Sequence, residues 1–214
     1  LLIVSVAGFF LQALTQRLFG CALEPLLGLV PYFVTHRFFL WQPVTYLFLH
    51  GGVLHLAFNL LVLWMFGCEL ERVWGSRFLL KYFFVCGVGA GVFVALLSSA
   101  SLVPTIGASG ALYGVLLAYG LLFPDRKILL WFVLPIRAKH FVLFIGAVAF
   151  YSTLTLPGSG ISHLAHLSGL AIGYIYLRGW VHFRWLHRRY LEWKLKRLKR
   201  KFRVIDGGND QEKP

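Results

Sequence analysis

The chain has 214 residues, 58% hydrophobic, 17% aromatic and 14% charged, with a mean hydropathy of +0.73. Soluble domains hold about 45–50% apolar and about 25% charged residues. The excess cannot be buried in one water-facing core, which excludes an ordinary soluble domain and implies an all-α, polytopic membrane protein. The formal net charge is +13, yet the few acids (Glu24, Glu69, Glu71, Asp125, Glu192, Asp206, Asp210 and Glu212) avoid the apolar runs.

A helix crosses a hydrocarbon core of ~30 Å with about 20 apolar residues. In chain order, six segments meet or approach that length: 1–19, 53–70, 78–99, 107–123, 141–156 and 162–180. They predict a bundle of six transmembrane helices over residues 1–180, followed by a basic tail over 181–214. The first segment is preceded by no basic stretch and carries no small-residue cleavage site, so it is read as a membrane helix and not a signal peptide. The 20–52 connection is too apolar for a solvated loop. Phe33, Phe38, Phe39, Leu40 and Trp41 are expected to anchor it in the membrane interface.

Basic residues set the orientation. Arg72, Arg77 and Lys81 flank the turn between segments two and three. Arg126, Lys127, Arg137 and Lys139 lie between four and five, and ten Lys or Arg residues fall between Arg184 and Arg203. Only Arg17 and Arg37 run against this pattern. Both termini are therefore expected in the cytoplasm, with the 20–52 connection, the 100–106 loop and the 157–161 turn on the outer side. In the tail, Trp185, Leu191, Leu195 and Leu198 recur at helical spacing among the cations. That pattern predicts a surface helix on anionic lipid headgroups. The tail carries no nucleic-acid reading module, so no nucleic-acid partner is expected.

Cys21, Cys68 and Cys86 show neither CxxC spacing nor an even-numbered framework, and read as small packing residues. His163 and His166 form an HxxH without a carboxylate or cysteine nearby, so no metal site is expected.

Segments two, four and six run in the same direction. Their leading ends carry His50, His55 and Asn59; then Ser109; then His163 and His166. Three segments thus bring chemically capable residues to one depth near the outer face, where intramembrane polar groups mark function or mutual pairing. Ser109 sits in Gly107-Ala108-Ser109-Gly110. The glycines permit a tight turn and close backbone approach, and a first-turn serine lies beside unpaired N–H groups that can stabilise an oxyanion.

A serine hydroxyl needs a base, and His166 is the best placed. Gly110 and Gly114 on segment four, with Gly169 and Gly173 on segment six, form two small-residue faces that allow the helices to pack closely. Tyr113, one turn beyond Ser109, is placed to buttress the imidazole. No acid stands in the outer halves of these segments to orient His166, so a serine hydrolase here would use a dyad. His55 and Asn59 share one helix face at i, i+4. They can donate to developing negative charge or pair with each other, and His50 is placed to tie down the outer connection.

With these residues in hand, the chain resembles the rhomboid family of intramembrane serine proteases in its compact six-helix prokaryotic form. Gly107-Ala108-Ser109-Gly110 matches the family's GxSG motif. Ala165-His166 with Gly169 and Gly173 matches AHxxGxxxG, and His55-Leu56-Ala57-Phe58-Asn59 matches HxxxN. The resemblance implies Ser109 as nucleophile, His166 as general base, and His55, Asn59 and the Ser109 N–H as the oxyanion hole. Tyr113 matches the family tyrosine that packs on the histidine.

The resemblance further implies cleavage of transmembrane helices near their outer ends, without cofactor or metal, in a bacterial inner or plasma membrane. The alternative is a non-catalytic relative that binds or escorts transmembrane clients, but such a chain should lack the serine or the histidine. One departure concerns the outer connection. The family often carries Trp-Arg there, whereas Trp41 is followed by Gln42 and Pro43, which puts the anchoring of that loop in question.

Overall fold

The computed structural model describes residues 1–130, 133–155 and 162–201. Helix α1 (Leu2–Phe19) stops at Gly20, whose left-handed backbone (φ +64°) suits a residue without a Cβ. The following connection folds into α2 (Glu24–Leu27), α3 (Pro31–His36), α4 (Gln42–Thr45) and a 3₁₀ turn at Tyr46–Phe48. Prolines at the first turns of α2, α3 and α4 supply the φ these short helices need and sacrifice no intrahelical hydrogen bond. Helix α5 (Val53–Val62), a π-helical turn (Leu63–Gly67) and α6 (Cys68–Trp74) form one continuous apolar rod. Then come α7 (Ser76–Leu97), α8 (Ser109–Leu122), β1 (Lys127–Leu130), β2 (Leu134–Arg137), α9 (Ala138–Thr155) and α10 (His163–Lys201).

Four of these helical stretches are long and apolar enough to cross a membrane: Leu2–Phe19, Val53–Trp74, Ser76–Leu97 and Ala138–Thr155. The other two predicted crossings differ for physical reasons. Helix α8 has 14 residues, about 21 Å of length, less than the bilayer core. The 162–180 segment lies on α10, whose first turns carry His163, His166 and Ser168. The chain forms two compact units, Leu1–Tyr176 and Leu177–Pro214. The predicted turn at 157–161 and the tail beyond residue 201 lie outside the described residues, as do the side chains of Trp185 and Leu198. Leu191 and Leu195 are exposed.

Helix α8 occupies the middle of the first unit and packs chiefly on α7. It is apolar on nearly every face because most of it is buried, with Ala111, Val115 and Ala118 fully inaccessible and Leu121 exposed at its last turn. Cross-links reinforce this centre. The Tyr46 hydroxyl donates to the Gly87 carbonyl (2.7 Å) and the Tyr82 hydroxyl to the Gly114 carbonyl (2.9 Å).

The 20–52 connection is part of the core. Leu29, Val30, Tyr46 and Leu47 are buried, while Phe38, Leu40 and Trp41 stay exposed, as an interfacial anchor requires. Gln42, where the family often has arginine, is fully buried. Its Oε1 accepts the Val30 N–H (2.9 Å) and its Nε2 donates to the Pro25 (3.0 Å) and Leu26 (3.3 Å) carbonyls. An uncharged side chain thus anchors this loop. Gln12, buried with Ser5 in a largely open α1, donates to Glu24 (2.9 Å) and accepts the His50 N–H (2.8 Å).

Among the described residues, regular strand is confined to the β1–β2 hairpin, paired antiparallel from Lys127↔Arg137 to Leu130↔Leu134. An ion pair joins Glu69 to Arg126, and the Arg126 guanidinium also lies 5.1 Å over the Phe123 ring. Asp125 meets Lys139 at 2.8 Å, which holds its carboxyl below the usual range.

Candidate active site

The loop leading into α8 is held from the connection beneath it. Leu29 and Thr105 form an antiparallel bridge (2.9 and 2.8 Å), and the Gly107 N–H donates to the Tyr46 carbonyl (2.9 Å). Gly107 then turns with φ +111°, a conformation side chains rarely adopt. Ser109 follows as the first residue of α8, and the first intrahelical N–H, that of Leu112, bonds the Ala108 carbonyl (3.0 Å). The N–H groups of Ser109, Gly110 and Ala111 therefore have no partner within the helix.

His166 lies in the first turn of α10, and its Nε2 is 2.7 Å from the Ser109 Oγ. Glycine makes this approach possible. A Cβ on Gly169 would fall on the Gly110 carbonyl. One on Gly173 would lie 2.5 Å from the Tyr82 hydroxyl and 3.2 Å from the Gly114 Cα, and one on Gly114 would lie 2.5 Å from Cys86 Sγ. The two helices meet backbone to backbone, as their small-residue faces predict. The Tyr113 ring stacks on the His166 imidazole with centroids 4.3 Å apart and planes 4° apart. His163 meets His166 edge-on at 6.0 Å.

His55 approaches from α5. The Gly51 N–H points to its Nδ1 (3.3 Å), so the ring proton belongs on Nε2. That end faces Gly107, where a Cβ would come within 2.7 Å of both Cε1 and Nε2. A cavity of about 470 Å³ gathers these groups, bounded by Tyr46, His55, Ile106, Ser109, Ser162 and His166, and among the described residues no carboxylate lines it. A hydroxyl, a base, an N–H from a second imidazole and a helix N-terminus thus converge, the equipment for acyl transfer.

Asn59 and His50 stand behind this cavity. Asn59 is buried and its Nδ2 donates to the His55 carbonyl (2.7 Å), leaving Oδ1 without a partner among the described residues. His50 is buried, its ring edge-on to His55 at 5.2 Å, and neither ring nitrogen has a partner among the described residues. The outer connection is tied through the backbone N–H of His50, which Gln12 accepts. Gln42 stands out in the sequence only as the residue that replaces an arginine, and Gln12 does not stand out at all. The available signal was a lone amide within an apolar run.

The chain matches the Rhomboid domain over residues 37–185. It is 35% identical over 138 residues to Rhomboid protein 1, mitochondrial, of Saccharomyces cerevisiae, covering 62% of this chain and 39% of that protein. It is 37% identical over 138 residues to Rhomboid protease GluP of Bacillus subtilis, covering 63% and 25%. It is 32% identical over 143 residues to Rhomboid protease GlpG of Yersinia pestis, covering 67% and 49%. The matches thus span a quarter to a half of the length of these relatives. The family match covers most of the chain and includes Ser109, His166, His55 and Asn59, and four of its helices are fit to cross a bilayer. The chain belongs to the rhomboid family of integral, multi-pass membrane proteins.

Proposed function

We propose that this chain is an intramembrane serine endopeptidase that cleaves transmembrane helices of membrane proteins near their outer ends. The observation that carries the reading is the 2.7 Å contact between Ser109 Oγ and His166 Nε2, with the imidazole stacked on Tyr113. The proposed chemistry uses these groups in order. Ser109 Oγ attacks the scissile carbonyl carbon while His166 Nε2 takes the hydroxyl proton. The Nε2–H of His55 and the N–H of Ser109 receive the negative charge that develops on the carbonyl oxygen, with Asn59 as a further donor from the same helix face. As the tetrahedral intermediate collapses, the C–N bond breaks and His166 gives its proton to the leaving amine. Water then attacks the acyl carbon with His166 again taking the proton, the ester bond to Ser109 Oγ breaks, the new carboxyl end leaves, and His166 returns the proton to Ser109 Oγ. The cavity over Ser109 is of a size to admit that water.

Orientation and tail belong to the same proposal. Residues 1–180 form the membrane domain, with the serine towards the outer face and both termini in the cytoplasm, as the distribution of Lys and Arg favours. Residues 181–214 form a basic cytoplasmic tail that meets anionic headgroups. The test is cleavage of a transmembrane substrate by the reconstituted protein. Ser109→Ala should abolish it with expression and thermal unfolding unchanged. Retained cleavage would remove Ser109 as nucleophile, and binding without cleavage by the native protein would favour a non-catalytic escort.

A further inference from the structure

Near the other end of α8 from Ser109, a second cavity of about 610 Å³ opens between the α5–α6 rod, the end of α8 and β1. Its lining divides by chemistry. Trp64 and Leu129 supply exposed apolar surface, whereas Arg72, Arg126 and Lys127 supply three cations against one carboxylate, Glu69. Arg126 is held in place by its ion pair to Glu69 and by the Phe123 ring. Arg72 and Lys127 are exposed and have no acidic partner among the described residues. An apolar-walled cavity with surplus positive charge, at the polar ends of membrane-crossing helices, fits a phosphodiester attached to acyl chains better than a free ion or a neutral headgroup.

We propose that this cavity binds one anionic phospholipid, with Arg72 and Lys127 facing the headgroup phosphate and Trp64 and Leu129 covering the first acyl carbons. The cavity lies among the basic clusters that the orientation proposed above assigns to the cytoplasmic leaflet, where anionic lipid is concentrated. The site is separate from the Ser109 cavity, so its failure would leave the proteolytic reading intact.

The test titrates the full chain in neutral detergent with phosphatidylglycerol, with phosphatidylcholine and with inorganic phosphate, counting retained lipid by native mass spectrometry. Phosphatidylglycerol should be retained selectively. The double variant Arg72→Gln, Lys127→Gln should weaken it about thirtyfold, from the usual worth of two cations near an anionic surface. The control Arg77→Gln, Lys81→Gln, at the same end but outside the cavity, should leave it unchanged. Dibrominated phosphatidylglycerol should quench tryptophan emission in the native protein and less in Trp64→Phe, which decides the matter if the double variant does not fold. Equal retention of both lipids, an equal loss in the control, or saturation by inorganic phosphate alone would overturn the proposal.

Discussion

Gly169 rests on the carbonyl of Gly110 with no room for a single carbon between them. This contact, and the companion contact of Gly173 with Gly114, sets how near α10 comes to α8 and therefore where His166 stands relative to Ser109. Gly169→Val must separate the helices. Misplacing a base by about 1 Å can cost on the order of 100-fold in rate. Cleavage of a transmembrane substrate should fall by about that factor. Normal turnover in this variant would show that the glycine contact does not position the dyad.

Gly107 controls the opposite wall. Its φ of +111° is strained for any side chain, and an added Cβ would press on His55 Cε1 and Nε2 at 2.7 Å. Gly107→Ala is expected to lower thermal stability by ~1–3 kcal/mol and to reduce kcat, because the methyl pushes the imidazole N–H from the serine. Unfolding and turnover measured on one preparation separate the two effects. A stability loss with unchanged kcat would deny His55 a place in the reaction.

Asn59→Ala tests the more distant donor. An interaction made only in the transition state lowers kcat and leaves KM nearly unchanged. A loss on the order of 100-fold is expected for an oxyanion donor. The Nδ2 bond to the His55 carbonyl allows a competing outcome, in which Asn59 merely holds its helix. A rise in KM with unchanged kcat would indicate that role.

Gln42 anchors the outer connection through three backbone partners and is fully buried. Gln42→Leu keeps the bulk but removes the partner of the Val30 N–H and of the Pro25 carbonyl, while the Leu26 carbonyl keeps the Trp41 indole N–H (2.8 Å); a buried unsatisfied group costs about 1–3 kcal/mol. The variant should unfold at lower temperature and be cut faster by added protease within 20–52. Unchanged susceptibility would mean that the apolar contacts of Leu29 and Val30 suffice.

Much of this arrangement is legible in the sequence because it rests on short-range rules. The spacing of Gly169 and Gly173 from His166 puts all three on one helix face, and Tyr113 stands one turn from Ser109. Hydropathy locates α1, the α5–α6 rod, α7 and α9 to within a few residues. What was not legible depends on distant backbone. Gln12 reaches His50 across 38 positions and Gln42 reaches Val30 across 12, and no periodicity marks either amide. The β1–β2 hairpin hid within a basic connection because strands of four residues leave almost no alternating pattern. The interior position of residues 29–30 and 46–47 leaves no separate mark in the sequence, because Phe38 and Trp41, exposed between them, give the whole connection an interfacial composition.

The central claim is that His166 activates Ser109. Its most direct test is labelling of the purified protein by a fluorophosphonate, which forms a phosphorus–oxygen bond only with an activated serine. The native protein should label, and Ser109→Ala and His166→Ala should not. Labelling that survives either substitution, or native protein that stays unlabelled in both detergent and bilayers, would contradict the dyad.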